Sequence, residues 1–263
     1  MIIDVNVYLS RWPFRRLPHD TPDSLVRKLR FHGVEQAWAG SFDGLLHKDI
    51  ANVNSRLVAD CKQHGEGLLV PVGAVNPTLP DWQDDLRRCH EVHQMRAIRI
   101  HPNYHGYSLD SALCDELFQA AQDRRLIVQL VLAMEDVRVQ HPLMRVAVVD
   151  TAPLAALVNK FPRLPLVIMN NSAAVRTGQA SELAKVGNTF FELSHFESVG
   201  GLENWVKEVP VERILFGSYF PFFNLEAALL KFQESQLGGF ATTTIQAGNA
   251  KDLVFDLHSQ ESP

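Results

Sequence analysis

The sequence predicts an α/β fold, a single-domain (β/α)8 barrel, on three observations. Eight short apolar runs alternate with segments of helical spacing along the whole chain. Several runs are apolar almost throughout, as in Leu126-Ile-Val-Gln-Leu-Val-Leu132, which suits parallel strands covered on both faces by helical crossovers. At 263 residues the chain has the length of one such barrel, for which about 250 is typical, so residues 1–263 are read as one domain.

The elements follow from that alternation. A strand at 2–7 opens the chain, and its Asp4, Asn6 and Tyr8 share parity, which predicts all three on one face. A helix at 22–31 leads to a strand at 36–40; the next helix starts only at 49, leaving 41–48 as a long loop. Strand 68–75, helix 80–93, strand 97–100 and helix 109–124 come next. Strand 126–132 runs into a second long excursion, 134–150, before a helix at 152–160, and loops of that length commonly overlie an active site. Strand 166–169 with helix 178–185, strand 190–193 with helix 202–209, and strand 214–216 with helix 225–234 complete the set. Gly200-Gly201 reads as a helix start, as do Asn224 and Glu226, and the tail past Leu257 is expected to be loose.

Composition narrows the function classes. A hydrophobic share of 46% with 21% charged residues supplies a large core, and a formal charge of −5 without long single-sign runs offers no cationic face to nucleic acid and no basic amphipathic helix to a membrane. Cys61, Cys89 and Cys114 are odd in number and lie in helical segments, which reads as free thiols in a reducing compartment. The chain begins directly in a strand, with no positive leader and no bilayer-length apolar run, and is read as cytoplasmic. No nucleophile elbow, phosphate-binding Gly-rich loop or dinucleotide fingerprint occurs.

In a (β/α)8 barrel the chemistry sits where strands end, which selects Asn6, Tyr8, His101, Gln129, Asn170, Asn171, Glu192, His195 and Tyr219. Glu192, flanked by Phe190, Phe191 and Leu193, points either into the barrel, where it needs a partner, or outward between helices, where burial is again costly. The loop Met134-Glu-Asp-Val-Arg-Val-Gln-His-Pro142 offers Arg138 either to Asp136, as an ion pair holding a lid, or to an anionic substrate. The loop Ser10-Arg-Trp-Pro-Phe-Arg-Arg16 presents Arg11 and Trp12 for an aromatic or acidic ligand, or is simply pinned by Trp12. His105 reads as a surface residue.

Arg213-Ile-Leu-Phe-Gly-Ser218 followed by Pro221, together with the opening Met1-Ile-Ile-Asp-Val-Asn-Val-Tyr8 and the less specific Ile98-Arg-Ile-His-Pro102, resembles the amidohydrolase-2 family. This is the group of TIM barrels that includes aminocarboxymuconate-semialdehyde decarboxylase, and the likeness covers nearly the whole chain in order. The resemblance implies a His-X-His pair on the first strand, a His ending strand six and an Asp ending strand eight. Here those positions fall on Asn6 and Tyr8, on Asn170 or its neighbour Asn171, and on Tyr219. Amides and a phenol are weak ligands for a divalent ion, so no metal cofactor is expected. The rival is a divalent metal such as zinc relocated onto His101, Glu192 and His195.

What the resemblance implies is hydrolysis of an amide, ester or lactone, or decarboxylation, of a small carboxylated or anionic molecule. In a metal-free version His101 or Glu192 is the general base, with His195 beside them; Arg99 or Arg138 holds the negative group, and Asn170 and Tyr219 donate to a developing oxyanion. The plainer reading has His101 and His195 bonded to loop backbone. Two rivals stay open: a binding-only sensor or scaffold on the same barrel, and the relocated metallohydrolase. The partner is a small molecule, with neither nucleic acid nor membrane, and a homo-oligomer stays open.

Overall fold

The computed structural model describes residues 1–171, 173–196 and 200–259. Among these, nine strands form: β1 (Ile2–Leu9), β2 (Val34–Ser41), β3 (Leu69–Pro71), β4 (Gly73–Ala74), β5 (Ala97–Ile100), β6 (Ile127–Val131), β7 (Leu166–Met169), β8 (Thr189–Glu192) and β9 (Ile214–Leu215). Every pairing is parallel, in the orders β1-β2-β3 and β4 through β9. Two seams join these arcs. Val72, between β3 and β4, donates its amide to Ala39 at 2.8 Å, so the single run at 68–75 appears as two short strands rather than one. On the other side Val5 and Tyr8 donate to Phe216 and Phe220 at 3.0 and 2.9 Å, closing β1 onto the end of β9. The result is the closed α/β barrel that the alternation predicts.

The helices that pack outside follow the sequence pattern, with shifted ends. Pro22–Phe31 carries Leu25, Val26 and Leu29 on its buried face, and its proline sits in the first turn, where no backbone donor is lost. Ile50–His64 starts at Asp49, whose carboxylate accepts from the Asn52 amide at 3.0 Å. Ala112–Asp123, Leu154–Lys160, Thr177–Val186, Gly201–Glu208 and Leu225–Glu234 occupy the positions anticipated for them. Their buried faces and the outward strand residues form one apolar layer; a second fills the barrel's interior, around Val5, Tyr8, Ile127, Val167, Leu215 and Tyr219.

Three local expectations change. A β-bulge between Asp4 and Val7 breaks the alternation of β1, so Val5 and Tyr8 share the interior while Asp4 turns to the backbone amides of Asn6 and Ser218, each at 3.0 Å. The helix at 80–93 is α-helical only over Trp82–Arg87 and continues as a wider turn through Val92. A helical stretch from Gly239 to Ser259 follows the last predicted helix, where Ile245, Ala247, Ala250 and Leu253 are buried. The loose end expected past Leu257 is therefore helical to Ser259, and the rest of it lies outside the described residues. The three cysteines are free and buried. Among the described residues no helix is long and apolar enough to cross a membrane.

Candidate functional site

Two layers can be distinguished at the C-terminal ends of the strands: a filled barrel centre and an open mouth above it. At the bottom of the centre lies Arg99 from β5, with 1% of its surface exposed. Its Nε donates to Gln129 Oε1 at 2.7 Å, and its two terminal nitrogens reach the carbonyls of Val7, Val5 and Trp38 at 3.0, 3.1 and 3.2 Å. The Tyr8 ring covers the guanidinium at 4.3 Å, and Gly40 leaves room for it, since a Cβ there would stand 2.8 Å from its Nη1. Arg99 is thus committed to the barrel wall, which corrects the expectation that it holds a substrate.

The strand-end positions do converge. Asn6 Nδ2 donates to Asn170 Oδ1 at 2.8 Å and to Glu192 Oε2 at 3.0 Å; the Asn170 amide adds a bond to Glu192 at 3.3 Å, and its side chain donates to the Ala133 carbonyl at 2.8 Å. Tyr8 Oη lies 3.0 Å from His101 Nε2, and Tyr219 Oη donates to the Met134 carbonyl at 2.6 Å. The two phenol rings meet edge to face at 5.8 Å. Asn170 and Tyr219 both adopt left-handed backbone, φ 53° and 58°, a conformation that costs a tyrosine about 1 kcal/mol or more and that this packing holds in place. Asn171 turns away and is spent on a local turn, accepting from and donating to Val175 at 2.8 Å.

Electrostatics follow from burial. It pushes the Tyr8 phenol up, and the Tyr219 phenol well above its ordinary value, so both keep their protons. Burial, then His105 and Arg99, drives His101 well below the usual imidazole range, so that ring is neutral. His105 is buried rather than on the surface; it bonds the Gly44 carbonyl at 3.0 Å and is held at about 4 by burial. The His101 Nδ1 and Asn6 Oδ1 atoms are buried without a partner. Apart from those two atoms the set is poorly matched to a divalent ion: protonated phenols and neutral amides are weak ligands, and the Asn6 and Tyr219 hydrogens are given to Asn170, Glu192 and the Met134 carbonyl. Among the described residues no three His, Cys, Asp or Glu side chains gather as a cation site, and the His101, Glu192 and His195 set is not brought together. His101 faces Tyr8, while His195 sits across the barrel against Phe223, with ring centroids 4.8 Å apart.

The mouth is different in kind. A cavity of about 330 Å³ is lined by Arg15, Met134, Glu135, His195, Phe222 and Phe223, among others. Arg15 stacks over the Phe222 ring at 4.9 Å and pairs with Glu135, which is nearly all buried. His195 Nδ1 lies 2.9 Å from Ser194 Oγ, which donates to Glu192 Oε2 at 2.9 Å, and the Ser194 amide closes onto Oε1. His195 and its neighbours thus join the mouth to the centre through one serine. Burial, then Lys231, holds His195 at about 4, while burial raises Glu192 against its several donors.

Neither Arg11 nor Arg138 joins the cavity's polar wall. Arg11 is exposed, and Arg138 is gripped by Asp136 through bonds of 2.6 to 3.1 Å on the lid's outer face. Trp12 is buried against Phe42, Phe14 and Phe222, packing the loop rather than offering a face to a ligand. Sequence reasoning passed over Arg15, Ser194, Met134, Phe222 and Phe223. Arg15 shares a loop with two other arginines that no periodicity separates, and Ser194 is marked only by standing between Glu192 and His195.

The amidohydrolase family model Amidohydro_2 matches residues 13–239, beginning after the strand that carries Asn6 and Tyr8. No curated protein matches the chain. Solved structures do. A dihydroxybenzoic acid decarboxylase from Polaromonas sp. JS666, with bound manganese and the inhibitor 2-nitroresorcinol, superposes with a TM-score of 0.75 at 15% identity, covering 98% of this chain and 97% of that one. For 5-carboxyvanillate decarboxylase from Sphingomonas paucimobilis the TM-score is 0.77 at 11% identity, with 96% and 98% covered. For 2,6-dihydroxybenzoate decarboxylase from Rhizobium it is 0.70 at 14%, with 97% and 99% covered.

Proposed function

Because the chain belongs to the amidohydrolase family, we propose that it is a hydrolase of a small carboxylated molecule that works at the barrel mouth, without the manganese bound in the similar dihydroxybenzoic acid decarboxylase. One observation carries this reading: the mouth cavity places a cation, Arg15, an imidazole, His195, and an aromatic wall, Phe222 and Phe223, around one space of about 330 Å³. Arg15 keeps an Nε and a second terminal nitrogen for a carboxylate, and Phe222 and Phe223 suit a flat ring. The neutral imidazole is in the state that accepts a proton, which favours hydrolysis over decarboxylation, where a proton must be delivered to carbon. In the proposed step His195 takes a proton from water, the water oxygen bonds to an ester, lactone or amide carbonyl carbon, and the departing group leaves with that proton.

This assignment moves the chemistry from the former ligand positions to the mouth. The centre's phenols and amides bond the surrounding chain, with Asn6 Oδ1 and His101 Nδ1 left without a partner. The test is a turnover screen of small carboxylated esters, lactones and amides, run on tag-free protein with and without a chelator. Hydrolysis that survives chelation is the expected result; turnover that appears only with stoichiometric zinc or manganese overturns the proposal.

A second reading is a binding-only protein. It is supported by Tyr8, Tyr219 and Met134, which fill the barrel's interior. Tight binding of aromatic carboxylates with no conversion across the screen favours it.

A further inference from the structure

We propose that Glu192 acts as a positioning residue through Ser194, fixing His195 in the Nδ1–H tautomer so that a bare Nε2 faces the mouth cavity. The proposal rests on the hydrolase reading for its catalytic meaning, but its geometry stands alone. A serine hydroxyl has one hydrogen. Ser194 spends it on Glu192 Oε2 at 2.9 Å, so toward His195 Nδ1, also at 2.9 Å, it can only accept. The ring proton must then sit on Nδ1, and Nε2, on the ring that lines the mouth cavity, carries the lone pair.

The direction of this chain depends on Glu192 being ionised: burial raises the carboxyl, and a protonated one could donate to Ser194 Oγ, while three further donors favour the accepting form. Asn6 Nδ2 and the amides of Asn170 and Ser194 all point donors at the carboxylate, and none of the three can accept from it. Asn6 and Asn170 thereby form an amide cradle for one carboxylate. Gly217 keeps the cradle open, since a Cβ at that position would fall 2.3 Å from Oε1. Lys231 adds positive charge beside the carboxylate and bonds the Leu193 and Ser194 carbonyls at 2.9 and 2.5 Å, holding the turn that carries Ser194 and His195.

The experiment is 15N NMR of histidine-labelled protein, wild type against Ser194→Ala, which removes only a buried hydroxyl, and Ser194→Thr, which restores it. Wild type is expected to show His195 with a protonated Nδ1 and a bare Nε2. Ser194→Ala is expected to shift the ring to mixed or Nε2–H tautomers and to lower kcat at least about tenfold with little change in KM, and Ser194→Thr to recover both. A wild-type His195 in the Nε2–H form, or a tautomer indifferent to Ser194→Ala, overturns the proposal. The two readings fail separately. The tautomer as described with no turnover of any substrate leaves the relay standing and sinks the hydrolase, whereas turnover that needs His195 but ignores Ser194 sinks the relay alone.

Discussion

The barrel centre and the barrel mouth carry similar polar residues and do different things with them. In the centre, Arg99, Gln129, Asn6 and Asn170 point most of their donors at the chain itself, because burial takes them out of bulk solvent and an unpaired donor there is costly. At the mouth, among the described residues, Arg15 is paired through one nitrogen and His195 through one ring atom, leaving groups to meet a ligand. Closed hydrogen-bond accounts mark structure; an open one at the edge of a cavity marks chemistry.

The sharpest break between the two regions is expected from His195→Gln, which should cut turnover about 10²–10⁴-fold, the range for a lost acid–base group, while the denaturation midpoint barely moves. Arg99→Met should do the reverse. It takes the charged donor from Gln129 Oε1 and from the Val7 and Trp38 carbonyls, while the Val5 carbonyl keeps Gln129 Nε2, so about 3–5 kcal/mol of stability should disappear in chemical denaturation. A small loss would mean that the Arg99 bonds do not hold the barrel centre together. Arg15→Met should raise KM or ligand Kd about tenfold to hundredfold with kcat little changed, the worth of one or two charge-assisted hydrogen bonds.

A finer test is the acid limb of the pH profile. His195 is the working base only when neutral, so activity must fall as pH drops through its value of about 4. The relay also needs Glu192 ionised, and burial raises that group in a setting shared with Asp4, Tyr8 and Lys231. The wild-type limb should therefore lie above pH 4, and the residual activity of Ser194→Ala should return it toward 4. The smallest effect is reserved for Arg138→Ala, which removes an exposed ion pair on the lid and should change neither melting nor binding detectably. A large effect there would move the ligand's anchor to the lid.

Much of the barrel was legible because strand and helix periodicities are local. Leu166–Met169 and Leu225–Glu234 follow directly from their runs of apolar residues. The helical stretch from Gly239 to Ser259 was not seen, since Gly238-Gly239 and a run of threonines obscure a pattern that only packing beneath the barrel makes sense of. The site was half visible. Convergence of Asn6, Tyr8, Asn170 and Tyr219 followed from strand ends, but their bonding partners did not. The bulge in β1 and the burial of His105 arise from contacts between residues distant in sequence, which no local pattern encodes.

By itself the sequence determined the order of elements, the class of barrel and the ring of positions at which polar side chains meet, because each depends on residues a few places apart. Tertiary structure alone decided which of those side chains are spent on one another and which remain free. That choice turns on distances between strands, such as the 2.9 Å steps that tie Glu192 through Ser194 to His195, and on the burial that makes every unpaired group costly.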